Sequence, residues 1–378
     1  MRILVFTTDA FGAKWGIAEY NRNFLTALCN DPRTSEVVVV PRHAPNDPGA
    51  LPVKLRFVTA SLNGKTNYAK AALREALFGG KFDLVICGHI NLLPFAFVAS
   101  RRNGAPLALV IHGIDAWTPH RNRLINLLAK RINVVVSVSK LSLERFLNWV
   151  KPRNCQHIII PNTIDLTRYS PGAKPQALLD RYGVTGKKVL LTMGRLAAHE
   201  RYKGVDEVME LLPGLAAKNP ELVYLVVGDG DDRQRLEEKA RQLNVADRVI
   251  FAGYIADEEK QAHYRLADAY VMPSRGEGFG IVFLEAMASG IPVVASKLDG
   301  GREAVREGLL GVLVDPNNCE ELEQGILSAL ARPRGVVPEG LDYFSLTHFE
   351  DRVHRLLDVL IGAQTTQFES SSPFESLQ

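Results

Sequence analysis

The chain has 378 residues, 46% apolar and 23% charged, and a formal net charge of +3. A composition this close to the soluble globular average excludes a disordered, collagen-like or disulfide-stapled chain, and the length calls for two domains of ordinary size. Cys29, Cys87, Cys155 and Cys319 form no CxxC pair, which fits reduced thiols in a cytoplasmic protein.

Short apolar, β-rich runs alternate with amphipathic stretches along the chain. The run at 3–6 is too short for a secretory core and stops at Thr7-Thr8-Asp9, so it reads as a first buried strand. Further strands are expected at 37–40, 84–87, 107–111, 134–138 and 158–160, with helical patterns such as 17–28 and 67–77 between them. A break rich in Pro, Gly and Tyr covers 161–187, and the alternation then restarts. Strands follow at 189–193, 223–227, 249–251, 269–272 and 293–295, with helices such as 205–212, 233–243 and 281–288. Continuous apolar strands separated by helices imply parallel sheets covered on both faces. The expected fold is therefore α/β, with two doubly wound Rossmann-like domains, 1–165 and 166–340, facing each other across a cleft. Residues 341–362 read as a last amphipathic helix packing back on the N-terminal domain, capped by Ser345 or Thr347. The polar, Ser-rich stretch 363–378 reads as a disordered tail. No run approaches the roughly 20 apolar residues of a membrane span.

The small net charge conceals an asymmetry. Residues 1–165 hold 21 Lys or Arg against 10 Asp or Glu, and the remainder holds 24 against 32. A basic half of this kind suits an anionic partner such as a membrane surface or a pyrophosphate-linked lipid, or it is an ordinary solvated surface. Nucleic acid is not expected, because aromatics do not interleave with the basic residues and no binding motif is present.

The densest chemical signal is the segment 273–290, PSRGEGFGIVFLEAMASG. It follows a strand, turns through three glycines and enters a helix near Ile281, with Glu277 in the turn and Glu285 eight residues later. Glycines let the backbone approach a ligand, and a helix N-terminus offers unpaired N–H groups to phosphate. A carboxylate inside that helix suits a diol such as the ribose hydroxyls. Arg195 ends the first strand of the second half, and Lys203 follows before a helix. An Arg fork and a Lys point charge at a strand's carboxyl end can neutralise a diphosphate, although each alone reads as a surface basic residue.

The set GR…YKG, VGDG and EGFGIVFLEAMASGIPVVAS resembles the family-4 retaining glycosyltransferases of the GT-B fold. The N-terminal half adds IHGID at 111–115, VSK at 138–140 and IPNTID at 160–165, so the resemblance spans nearly the whole chain. It implies an acceptor-binding N-terminal domain and a C-terminal domain for a nucleotide-sugar donor. Arg195 and Lys203 would hold the leaving diphosphate, and Glu285 the ribose. Glu277, with main-chain groups around Gly278, Phe279, Gly280, Ile281 and Val282, would meet the transferred sugar. Gly228, Asp229, Tyr254 and Ile255 would shape the base pocket, His112 would sit near the sugar, and Gly16 would let the first loop approach phosphate. The implied catalytic set is His112, Glu277, Arg195 and Lys203. No metal and no cofactor are implied. The donor expected first is UDP-glucose or another UDP-hexose, with GDP-mannose second. The acceptor would be a glycan or lipid-linked glycan of bacterial polysaccharide or lipopolysaccharide assembly, reached in the cytoplasm or at the inner face of the membrane. The first loop departs from the pattern, since Trp15 stands where the family often has the first of two adjacent glycines.

Other readings fit less well. A dinucleotide-dependent oxidoreductase needs Gly-x-Gly-x-x-Gly after the first strand, and TTDAFGAKWG lacks it. Asp229-Gly230-Asp231 resembles an Asp-x-Asp metal site, yet Arg195 and Lys203 already supply cationic charge. The histidines show no zinc-ligand spacing. A non-catalytic nucleotide-sugar-binding protein or a UDP-sugar epimerase on the same fold is the remaining alternative.

Overall fold

The computed structural model describes residues 1–14 and 16–362, so Trp15 and the tail 363–378 lie outside the described residues. The N-terminal half runs β1 (Arg2–Asp9), α1 (Gly16–Asn30), β2 (Glu36–His43), β3 (Leu55–Phe57), α2 (Lys65–Phe78) and β4 (Leu84–Cys87). It continues with α3 (Leu93–Asn103), β5 (Leu107–Ile111), α4 (Arg123–Ala129), β6 (Val134–Ser137), α5 (Lys140–Val150) and β7 (Gln156–Ile159). The strands form one parallel sheet in the order β3-β2-β1-β4-β5-β6-β7. Along β1, Ile3 and Val5 pack on one face and Leu4 and Phe6 on the other, all buried. This period of two inside a continuous apolar run is how a strand serves two helical layers at once.

The C-terminal half runs α6 (Gln176–Tyr182), β8 (Lys188–Met193), α7 (Val205–Lys218), β9 (Leu222–Val227), α8 (Arg233–Gln242) and β10 (Val249–Gly253). Then come α9 (Lys260–Leu266), β11 (Ala269–Met272), α10 (Ile281–Ala288), β12 (Val293–Ser296), α11 (Gly301–Ala304), β13 (Val312–Val314), α12 (Cys319–Ala331) and α13 (Leu346–Gly362). The second parallel sheet has the order β10-β9-β8-β11-β12-β13.

The structure corrects several sequence expectations. Strands β3 and β13 were not anticipated: each is a three-residue edge strand, too short to show a period. Helix α6 lies inside the stretch read as a break. Helix α7 continues past Leu212 through Pro213 because Leu215 and Ala216 are buried beyond it, and that packing outweighs the lost backbone bond. The last amphipathic segment is not one helix from 341. A 3-10 turn at Leu341–Phe344 precedes an extended Ser345, and α13 starts only at Leu346. The Ser345 hydroxyl lies 3.4 Å from the His348 N–H and occupies the capping position.

Two crossings join the halves side by side. The Ile164 N–H and the Thr163 hydroxyl donate to the Phe344 carbonyl at 2.9 and 2.7 Å. Helix α13 then lies against α1. Phe349, Val353, Leu356, Leu357 and Leu360 make its buried stripe, and Phe349 meets Tyr20 edge-on at 5.5 Å between ring centroids.

Candidate functional site

The two sheets present the carboxyl ends of their strands to each other. Where β8 ends, Arg195 and Lys203 both donate to the carboxylate of Glu200, Lys203 Nζ at 2.6 Å from Oε2. Glu200 is buried, whereas the Arg195 side chain is half exposed. Both cations are held on one buried anion, so their positions are set before any ligand arrives. The turn after β9 closes on this segment. A Cβ on Gly228, whose φ is +135°, would lie 1.8 Å from the Gly194 carbonyl oxygen, so only glycine fits. The Gly228 N–H donates to the Gly253 carbonyl at 2.9 Å, which draws the end of β10 to the same place. Asp229 Oδ1 accepts from the Gly230 N–H within the turn, and Asp231 Oδ1 accepts from the Ala198 N–H, which ties the turn to the segment after β8. Tyr254 is exposed and its hydroxyl accepts from Lys14 Nζ of the opposite domain at 3.1 Å, while Ile255 is buried.

The segment after β11 builds the centre. The Glu277 N–H donates to Asp299 Oδ2 at 2.8 Å and the Gly300 N–H donates to the Glu277 carbonyl at 2.9 Å, so both sides of its peptide are fixed. Burial pushes the Glu277 carboxyl up to about 7, helped by Asp299 and Glu200 and opposed by Lys203 and Arg195. The Phe279 side chain is core, packed edge-on to Phe344 at 5.5 Å, so toward the cleft this residue offers main chain. Gly280, at φ +88°, opens α10 at Ile281, and Val282 is partly buried in its first turn. Glu285 is fully buried. Its two oxygens accept from the hydroxyls of Tyr169 (2.9 Å) and Tyr264 (2.6 Å), with Lys260 Nζ 3.6 Å away.

The N-terminal domain supplies the facing wall. His112, just beyond β5, places Nε2 3.1 Å from the Gly88 carbonyl and has Tyr20 edge-on at 5.2 Å. Burial holds the imidazole down to about 4, and His89 adds to the effect. The ring is therefore neutral at pH 7. With Nε2–H donating to Gly88, Nδ1 is the acceptor. Three residues on, burial lifts the Asp115 carboxyl to about 7, against nearby backbone N–H groups. Direct contact closes the site: a Cβ on Gly278 would lie 1.9 Å from the His112 carbonyl oxygen. A Cβ on Gly16 would lie 3.8 Å from Ile281 Cγ2, which brings the start of α1 to the start of α10. Glu303 accepts the Lys140 and Leu141 N–H groups at 2.7 and 2.8 Å, capping α5 from the other domain.

Thus His112, Gly16, Glu277, Gly278 and Ile281 come together across the cleft, and Arg195 and Lys203 come together on Glu200. Charge coupling from Lys203 and Arg195 to Glu277 joins the two groups. Glu285 sits deeper, with Tyr169, Tyr264 and Lys260. Sequence reasoning missed Glu200, Asp299 and Lys260. Glu200 stands between the two predicted cations in AHERYKG, where an acid flanked by bases was the available signal. Asp299 and Lys260 lie on other elements and gave none. Among the described residues no group of three or more His, Cys, Asp or Glu side chains is gathered to hold a metal, and no helix is long and apolar enough to cross a membrane.

Comparison with known proteins gives the same picture. Residues 16–168 match the model of Glycosyltransferase Family 4, and residues 180–338 that of Glycosyl transferases group 1. A GDP-mannose-dependent alpha-(1-6)-phosphatidylinositol monomannoside mannosyltransferase of Mycolicibacterium smegmatis is 28% identical over 95% of this chain and 98% of its own. Among solved structures, Anabaena Alr3699/HepE in complex with UDP and glucose superposes with a TM-score of 0.70 at 22% identity, covering 94% of this chain and 99% of that one. The sucrose-phosphate synthase of Thermosynechococcus elongatus does so with a TM-score of 0.76 at 22% identity, covering 96% and 99%. With one model on each half and the two-sheet GT-B architecture throughout, this chain belongs to the family-4 glycosyltransferases.

Proposed function

We propose that the enzyme transfers mannose from GDP-mannose, with retention and without a metal ion, to a glycan or lipid-linked glycan acceptor. The observation that carries the transfer reading is the pair Arg195 and Lys203, held on buried Glu200 beside Glu277 and opposite His112. As the anomeric carbon–oxygen bond breaks, its electron pair goes to the diphosphate. The two cations and the first turn of α10 stabilise the charge that develops there. The acceptor hydroxyl attacks from the face the leaving group departs, and its proton passes to the departing phosphate oxygen. Glu277 and the neutral His112, whose Nδ1 is an acceptor, orient sugar hydroxyls. Glu285 has acceptor capacity beyond its two tyrosine partners, which supports a ribose contact once the surrounding side chains yield to the nucleotide.

The donor part rests on the Mycolicibacterium relative, whose similarity covers both domains. UDP-glucose, the first expectation from sequence, is the competing arm of the test. Calorimetric titration with GDP, UDP and ADP in EDTA should find GDP bound at least about tenfold more tightly than the others, a gap of about 1.4 kcal/mol. A preference for UDP would overturn the donor, and no binding to any of the three would overturn the donor site. NMR of the product anomer decides retention. His112→Ala should depress transfer while leaving nucleotide affinity in place; equal loss of both would make His112 structural.

A further inference from the structure

Between His89 and Arg131 the chain carries six Lys or Arg residues and a single acid, Asp115. Asp115 lies in the cleft loop, which leaves helices α3 and α4 without a carboxylate of their own. On α4, Ile125, Leu128 and Ala129 are buried against the sheet, while Leu124 and Leu127 are each 51% exposed. Arg123, Lys130 and Arg131 follow the same outer side at helical spacing, and all three are exposed. Helix α3 repeats the arrangement. Ala96, Ala99 and Ser100 are buried, and the outer side carries exposed Val98 followed by Arg101 and Arg102. The two helices pack side by side, so their apolar-then-basic stripes adjoin. Among the described residues Arg101, Arg102, Arg121, Arg123, Lys130 and Arg131 are in no ion pair.

We infer that the outer face of α3 and α4 is a docking surface for an anionic lipid bilayer. A solvated basic face has no use for exposed leucines along its middle, and a site for a soluble polyanion needs none. Leucines flanked by cations match a surface whose headgroups are negative and whose interior is apolar. The face runs along the flank of the domain: Arg121 and Arg123 follow the cleft loop of His112 and exposed Ile114, whereas Arg101, Arg102, Lys130 and Arg131 stand at the C-terminal ends of α3 and α4, beside the starts of β5 and β6. The inference is independent of the donor proposed above.

The test is flotation of the full-length protein with vesicles of phosphatidylcholine alone or mixed with phosphatidylglycerol, at low and high salt. Binding is expected only to the anionic vesicles, weakening with salt. Each basic residue near such a surface contributes about fivefold, so Lys130→Glu with Arg131→Glu should weaken binding about 25-fold or more. Leu124→Gln with Leu127→Gln should weaken vesicle binding severalfold while leaving retention on a heparin column unchanged. Failure to bind anionic vesicles overturns the inference, as does full binding by either double variant. Undiminished vesicle binding by the leucine variant in particular would reassign the face to soluble polyanions. Thermal melting and nucleotide affinity, measured in parallel, separate misfolding and failure of the donor reading from failure of this surface.

Discussion

Arg195 and Lys203 of the C-terminal half share one buried carboxylate, whereas Arg101, Arg102, Lys130 and Arg131 of the N-terminal half stand exposed with no ion pair among the described residues. The pattern extends beyond the cleft. In the C-terminal half Asp206 accepts from Arg235 and Lys239, and Asp232 from Arg201 and Arg235. Pairing costs attraction but fixes position, which suits cations that must meet a diphosphate at a set distance. Unpaired cations keep their reach and full charge, which suits a soft, extended anionic surface rather than one small ligand. The cleft cations of the C-terminal half are thus fixed by pairing, whereas those on the α3–α4 face are left exposed, although Arg2, Arg33 and Arg56 of the same N-terminal half are paired.

Four experiments strain this contrast. The largest effect is expected from Lys203→Ala, which removes half the aimed charge and should lower kcat by about 10²–10³. Steady-state kinetics check it, and a near-normal rate would show that Glu200 positions a cation the reaction does not use. Next is Glu285→Gln, which keeps the shape of a fully buried side chain and removes its charge. Nucleotide affinity should fall about tenfold, with a lower melting temperature because hydrogen bonds to a charged acceptor are worth about 1.5–3 kcal/mol. Unchanged affinity in calorimetry would remove the ribose contact.

Glu277 gives a smaller, pH-dependent effect. Its folded-state value near 7 stands above the ordinary 4.5, so folding favours the protonated form. The stabilisation from this group is therefore complete below about pH 4.5 and is lost as the pH rises through 7. Glu277→Gln stays neutral and should be more stable than the parent at pH 8 by about 1–3 kcal/mol, the gap closing toward pH 4.5. Melting curves across that range check the sign; a gap that does not change with pH would mean that Lys203 compensates the charge fully. The smallest effect is Ser345→Ala at the start of α13, about 0.5–1 kcal/mol seen as a slightly lower melting temperature. A loss above 2 kcal/mol would show that this turn holds the two domains together rather than merely capping a helix.

The segment 273–290 was readable because its information is local. A strand, three glycines and a helix start follow one another within a few residues, and the structure begins α10 at Ile281 where the sequence placed it. Strands β4, β5 and β11 likewise fall where the apolar runs do. Strands β3 and β13 escaped because three residues carry no period, and α7 was read only to Leu212, whereas the burial of Leu215 carries it on through Pro213.

From sequence alone came the two-domain α/β architecture, the family resemblance and the positions of Glu277, Glu285, Arg195, Lys203 and His112. The architecture rests on periodicity, the four charged residues on their local motifs together with the resemblance, and His112 on the resemblance. Only the tertiary structure put Glu200 under two cations, set Asp299 against the Glu277 peptide, and pressed Gly278 against His112 from the opposite domain. Glu200 is close in sequence to both its cations, but the other two are meetings between residues far apart in the chain, and the Glu277 carboxyl near 7 depends on the same kind of meeting. Burial and charge coupling depend on what the fold brings near, and no spacing in the sequence records that.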